Sequence, residues 1–327
     1  MPIQVTIIGL GQIGSSIGLA LGKIKDQAVR IGNDRDPGVA RQAERAGAVD
    51  KTMINLPSAV KDADVVVLAI PVDEIRETIE VIAPDLKPGV VLINTSIIQS
   101  PVLEWAKELL PGDDRYFASL TPTINPAYLM QTGTDLTTPH ADLFHNSFML
   151  ITTMPGIDDS AVTLITNLTQ ILGATPLYTE AVEADGLMAY SHVLPRLVSV
   201  ALTNTTMEQP GWREARKIAS HTYAQVTEPA LHPEESASFG QAALLNRDNT
   251  VRMLDQMIAE LRTLRNAIAE NDPATLQERF ENARSKRQLW WGQRLRADWE
   301  AKANTDIPTS GEFFGRLFGI KSRKEKK

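Results

Sequence analysis

The sequence predicts an α/β protein: an N-terminal doubly wound Rossmann domain with a mostly parallel sheet, followed by an all-α helical domain. Three observations carry this. An apolar run ends in a glycine-rich turn almost at the first residue. Short β-branched runs then alternate with helical segments up to about residue 180. From Ala181 onward only helical periodicity remains. The expected division is therefore a Rossmann domain over 1–180, a helical domain over 181–303, and a basic amphipathic tail over 304–327.

The first element is a buried parallel strand, Gln4 to Ile8, followed by Gly9-Leu10-Gly11-Gln12-Ile13-Gly14 and a helix from about Gln12 to Leu21. Gly9 permits the tight turn, Gly11 lets backbone approach a pyrophosphate, and Gly14 lets helix and strand pack closely. The free amides and positive dipole end of the helix face phosphate. A Gly-x-Gly-x-x-Gly pattern is common; here its setting between strand and helix carries the reading. A second apolar segment, Val29 to Gly32, leads to Asn33-Asp34, and Asp34 stands 20 residues beyond Gly14, where a ribose-binding acid belongs. Asp34 favours NAD, because its charge opposes the extra phosphate of NADP; the neighbouring Arg35 blunts that preference.

A helix over Gly38 to Ala46 and a short strand over Gly47-Ala48-Val49-Asp50 come next, then a polar turn. Asp64 to Ile70 is rich in β-branched residues, which marks a strand buried on both faces and closed by Pro71. Helix Val72 to Ile82 and strand Val90 to Asn94 complete another βαβ unit. Helix Val102 to Leu110, strands Tyr116 to Leu120 and Phe148 to Ile151, helix Ser160 to Leu172 and a strand near Thr175 to Tyr178 end the domain. Ligands bind beyond the carboxyl ends of such strands. The segments after Ile8, Ile70, Asn94 and Leu120 therefore surround one crevice, and Ile70, Pro71 and Asn94 join Gly9, Gly11, Gln12, Ile13, Gly14, Asp34 and Arg35 as expected cofactor residues.

The helical half reads as one helix from Glu183 to Thr206 kinked by Pro195, a second from Trp212 to Ala224, a third from Gln241 to Asn271, and a last one from Pro273 to about Ala303. The apolar stripe Leu254, Met257, Ile258, Leu261, Leu264 and Ile268 exceeds what a small monomer buries, which predicts a homodimer through this domain. The tail places Phe313, Phe314, Leu317, Phe318 and Ile320 before a lysine-rich end. It reads as a frayed or locally docked terminus rather than a membrane contact.

A net charge of −7 argues against a nucleic-acid footprint. Without cysteine the chain has no disulfide, thiolate nucleophile or Cys-type metal site. His140 and His145 make a poor metal pair and read as loop residues, so no metal is expected. The early first strand leaves no room for a signal peptide, and no uncharged apolar run reaches the ~18 residues of a membrane span. A cytoplasmic protein is expected.

Nearly the whole chain resembles the prephenate and arogenate dehydrogenases. The resemblance runs through Gly9 to Leu21, Gly32 to Pro37, Asp62 to Val72, Ala141 to Phe144, Glu183 to Leu197 and Gly211 to Ser220. It implies oxidative decarboxylation of prephenate or arogenate with hydride transfer to NAD or NADP. The catalytic set departs from the family. Its Asp-x-Gly-Ser-x-Lys signature is here Asn94-Thr95-Ser96-Ile97-Ile98-Gln99, so the serine falls on Ile97 and the lysine on Gln99, and Ser96 substitutes only through a rearranged turn. His-Pro-Met becomes Thr121-Pro122-Thr123. Thr121 orients a hydroxyl or water, but it cannot accept a proton near neutrality as imidazole does. Ser-His-Leu-Pro-His becomes Ser191-His192-Val193-Leu194-Pro195-Arg196. Alignment on Leu-Pro puts the first histidine on Val193; alignment on Ser-His keeps His192. One residue is a 100° rotation on a helix, so both registers require a bulge.

The catalytic candidates are accordingly His192, Ser96 and Thr121. Arg216 matches the family's arginine for a substrate carboxylate, and Arg196 falls on its second histidine; both suit a small anionic substrate. The resemblance implies an NAD-dependent dehydrogenase with an altered catalytic set. The alternatives are a catalytically silent NAD-binding sensor or regulator, or a dehydrogenase for a different small carboxylate.

Overall fold

The computed structural model describes residues 2–112, 114–131, 137–231 and 236–297. The expected tail lies outside them. The first domain is built on one sheet of order β3-β2-β1-β4-β5-β6-β7-β8. Its strands are β1 (Ile3–Ile8), β2 (Ala28–Asn33), β3 (Lys51–Thr52), β4 (Val65–Leu68), β5 (Val91–Asn94), β6 (Tyr116–Pro122), β7 (Ser147–Thr153) and β8 (Ala174–Tyr178). All neighbours pair parallel except β6 with β7. Helices α1 (Gln12–Leu21), α2 (Pro37–Arg45), α3 (Leu56–Val60), α4 (Val72–Ile82), α5 (Ser100–Leu109) and α6 (Asp159–Ile171) connect them. One apolar cluster joins Ile7, Ile17, Val67 and Ile165, and another joins Val66, Ile75, Leu92 and Phe117. Strand order reverses between β1 and β4, which opens the crevice at their carboxyl ends.

Two local expectations differ. Gly47–Asp50 is a turn, and pairing with β2 begins only at Lys51. The buried Arg30 explains this: its guanidinium donates to Gly47 O at 2.9 Å and to Asp50 Oδ1 at 2.5 Å, so Asp50 closes a corner. The polar turn before β4 contains α3, capped by the Asn55 side chain, which accepts from Ser58 N at 2.9 Å.

The second half comprises α7 (Ala181–Met188), a π-helical turn (Ala189–Val193), α8 (Leu194–Met207), α9 (Trp212–Ala215), α10 (His221–Thr227), α11 (Ser236–Leu245), α12 (Arg247–Ala269) and α13 (Pro273–Arg296). Two of the expected long helices are each divided in two. α9 and α10 part at Ser220, whose side chain accepts from Tyr223 N at 3.2 Å and starts α10. α11 and α12 part at Asn246, whose side chain donates to Asp185 O at 2.7 Å. The α12 stripe also splits: Leu254, Met257 and Leu264 are half-buried, while Ile258, Leu261 and Ile268 are 43%, 55% and 66% exposed in the single chain. α13 ends against the first domain, where the buried Arg294 donates to Ile124 O, and to Asn146 O at 3.3 Å. Among the described residues no helix is long and apolar enough to cross a membrane.

Candidate active site

At the end of β1, Gly9 has φ +86°, and a Cβ there would stand 2.3 Å from Ala69 O. A Cβ on Gly14 would stand 1.9 Å from Gly9 O, so only glycine lets α1 sit this close to the loop. A Cβ on Gly11 would meet nothing within 4 Å: open space lies before it. Behind that space the first amides of α1, at Gln12, Ile13 and Gly14, have no partner within the helix. The Gln12 side chain reaches Thr138 O at 3.2 Å. Asp34 Oδ2 accepts from Leu10 N at 2.7 Å and Oδ1 from Asp36 N at 2.8 Å, which fixes the carboxylate beside the loop with a lone pair spare on each oxygen. Arg35 forms an ion pair with Glu74 in the first turn of α4. Ile70 and Pro71 lead into α4, and Ser238 Oγ of α11 accepts from Val72 N at 3.1 Å across the crevice. This cradle fits a dinucleotide: an approachable loop, unpaired amides and an oriented acid.

Asn94 belongs to the floor. It is fully buried; its amide donates to Ser119 Oγ at 3.1 Å and its carbonyl accepts from Ser96 N at 2.9 Å. Ser96 is also spent locally, its hydroxyl donating to Ile98 O at 3.1 Å. Beneath the turn, Gln99 Nε2 donates to Thr121 Oγ1 at 2.6 Å and to Ser96 O at 2.9 Å, and Thr121 donates to Ser96 O at 2.5 Å. Thr152 Oγ1 completes the set by donating to Gln99 Oε1 at 3.1 Å. Gln99, Thr121 and Thr152 are buried, so the positions of the family's lysine and histidine form one neutral, internally satisfied network.

Asp185 on α7 clamps the same turn. Its carboxylate accepts from Gln99 N at 2.7 Å and Ser100 N at 3.0 Å, capping α5 from another element. Ala184 and Met188 pack with Leu150 and Ile97. The π turn therefore follows directly after residues that touch the β5–α5 turn. It precedes Pro195, which has no N–H for the carbonyl four residues back, so the helix yields here.

That turn holds His192. Ser191 Oγ donates to Leu187 O at 2.6 Å, so the 2.9 Å contact between Ser191 Oγ and His192 Nδ1 must be a donation from the imidazole. The neutral ring then carries its proton on Nδ1 and offers the Nε2 lone pair. Burial, and secondly the Arg196 guanidinium, hold His192 below the usual histidine pKa. Arg196 lies over the Phe239 ring, 5.0 Å from its centroid. Arg216 is exposed at the end of α9, and its amide donates to Trp212 O at 2.9 Å.

The structure thus brings the glycine loop, Asp34, Arg35, Ile70 and Pro71 together, sets Asn94, Ser96 and Thr121 around the β5–α5 turn, and places Arg196 one helical turn from His192. Sequence reasoning missed Asp185, Ser191, Thr152 and Glu74. An acid on the buried face of α7 was a signal for Asp185. The Ser191-His192 register was a signal for Ser191; for Thr152 and Glu74, which act through distant partners, we find none.

Comparison with known proteins matches residues 4–97 to the family described as NADP oxidoreductase coenzyme F420-dependent, and 180–282 to the prephenate dehydrogenase dimerization domain. The chain is 24% identical to the cyclohexadienyl dehydrogenase of Zymomonas mobilis, covering 87% of this chain and 94% of that one. It is 25% identical to the prephenate dehydrogenase of Bacillus subtilis, covering 88% and 76%. In fold it is similar to the prephenate dehydrogenase of A. aeolicus solved with hydroxyphenyl propionate and NAD+, with a TM-score of 0.76 at 18% identity over 88% of this chain and 98% of that one. Synechocystis arogenate dehydrogenase gives 0.68 at 20% identity over 88% and 100%.

Proposed function

From the premise that this chain belongs to the prephenate and arogenate dehydrogenase family, we propose that it is an NAD-linked oxidoreductase acting on prephenate, arogenate or a closely similar carboxylate. In such a reaction the ring C–H hydride passes to the nicotinamide, the ring carboxylate leaves as carbon dioxide, and the hydroxyl proton needs a base. The observation that carries the reading is the π turn. Relative to Ser-His-Leu-Pro-His the chain has one residue more, and a π turn absorbs one residue. Ser191-His192 and Leu194-Pro195-Arg196 can then both keep their family registers, and His192 Nε2 is the proton acceptor we assign. Arg196 and Arg216 are the proposed carboxylate anchors, Arg196 being the one set beside His192. Ser96 and Thr121 shape the floor.

NAD rather than NADP is supported by the Asp34 carboxylate and the engaged Arg35. A homodimer is supported by the dimerization-domain match and by the exposed Ile258, Leu261 and Ile268. A domain division near residue 180 accords with the end of β8 at Tyr178 and the start of α7 at Ala181. A cytoplasmic location accords with a biosynthetic enzyme of this kind.

The test is NADH formation with prephenate and with arogenate, beside a direct measurement of NAD binding. Turnover that falls at least a hundredfold in His192→Asn supports the assignment, on the 10²–10⁴ scale of a general base. Arg216→Ala should raise KM roughly ten- to a hundredfold without touching NAD affinity, as loss of charge-assisted bonds worth about 1.5–3 kcal/mol predicts. The buried neutral Gln99–Thr121 pair favours a second reading, a dinucleotide-binding protein without this turnover. Binding of NAD with no NADH from either substrate would select it, or a different carboxylate.

A further inference from the structure

We infer that Glu74 is a specificity-determining residue: by engaging Arg35 it withholds the guanidinium that a ribose 2′-phosphate would need, and so biases the crevice toward NAD. This rests on the dinucleotide reading of the crevice. Arg35 directly follows Asp34, whose carboxylate is fixed by Leu10 N and Asp36 N. Nicotinamide cofactors with and without the phosphate are told apart at this place: an acid receives the ribose hydroxyl, whereas an arginine nearby accommodates the phosphate. Both residue types stand here side by side, so Asp34 alone does not settle the choice.

Glu74 tips it. β2 and β4 flank β1 in the sheet, and Arg35 follows β2 while Glu74 lies in the first turn of the helix after β4. The Arg35–Glu74 pair, between residues 39 apart in sequence, therefore spans the loop end of β1. A carboxylate in the first turn of a helix is favoured by the helix dipole, so Glu74 is well placed where it meets the guanidinium. Glu74 occupies Nη1 of Arg35, so a bidentate contact with phosphate is confined to the remaining donors of a guanidinium that a carboxylate already neutralises. The Arg35 side chain is 69% exposed, and exposed pairs are worth little, so the bias is graded rather than absolute.

The experiment measures Kd for NADH and NADPH by nicotinamide fluorescence on the full chain, for the wild type, Glu74→Gln, Arg35→Ala and the double variant. Glu74→Gln should tighten NADPH about five- to tenfold and leave NADH within twofold; adding Arg35→Ala should return NADPH to the wild-type value. Unchanged NADPH affinity in Glu74→Gln overturns the inference. So does a gain that survives removal of Arg35, which would mean that Glu74 acts by repulsion alone. Failure of the wild type to bind either nucleotide overturns the dinucleotide reading itself, and the inference with it.

Discussion

Gln99 Nε2 donates to Thr121 Oγ1 at 2.6 Å, and both side chains are sealed from solvent. At the positions where the family resemblance puts lysine and histidine, this chain has two neutral groups that bond to each other. Removing the polar group of either takes one buried hydrogen-bond partner from the other. Thr121→Val should destabilise the fold by about 1–3 kcal/mol. In a double-mutant cycle with Gln99→Met the two losses should be less than additive by about 1 kcal/mol. Urea unfolding of the four proteins measures this; strict additivity would show that the bond contributes nothing.

Ser191 touches no reacting atom in our assignment; it positions His192. Ser191→Ala frees the ring to take the other tautomer and should lower kcat by about tenfold with KM little changed, and Ser191→Thr should restore it. A merely structural serine would show no split between kcat and KM and no rescue.

The depressed pKa of His192 gives two pH effects with a definite sign. Turnover should keep its basic plateau below the ordinary imidazole value of about 6.5. Arg196→Gln removes one depressing cause, so its acid limb should move toward higher pH. Stability follows the same linkage. The unfolded chain takes up the proton first, so native stability should fall as pH drops through about 6.5 and level off below the folded pKa. His192→Asn should flatten that slope in denaturation midpoints between pH 7 and 5.

The exposed side of α12 predicts association. Light scattering at micromolar protein should give a dimer, and Leu261→Glu, which puts a charge on that stripe, should give a monomer with an unchanged circular dichroism spectrum. A wild-type monomer would remove the interface.

The glycine loop was legible in the sequence because local sterics dictate it: Gly9 and Gly14 have no room for a Cβ, and the residues that crowd them are near neighbours in the sheet. The buried strands were legible for the same kind of reason, through unbroken β-branched runs. The β3 displacement was not, because it depends on Arg30 reaching across to Gly47 and Asp50. The register conflict at His192 was visible as a conflict, and a bulge was named as its one resolution; its place, Ala189–Val193 ahead of Pro195, needed the three-dimensional chain. Asp185 and Glu74 stayed hidden because each acts on an element far away in sequence, and a charge pattern within one helix does not reveal that.

The clasp of Arg294 on Ile124 and Asn146 changes how the two halves can move. With the covalent joint after β8, the Asp185 clamp on the β5–α5 turn and the packing of α11 against α4, it makes a fourth attachment, so the helical half is held at several places rather than hung from a single hinge. Two halves fixed at four places cannot swing apart as a clamshell without releasing more than one of them.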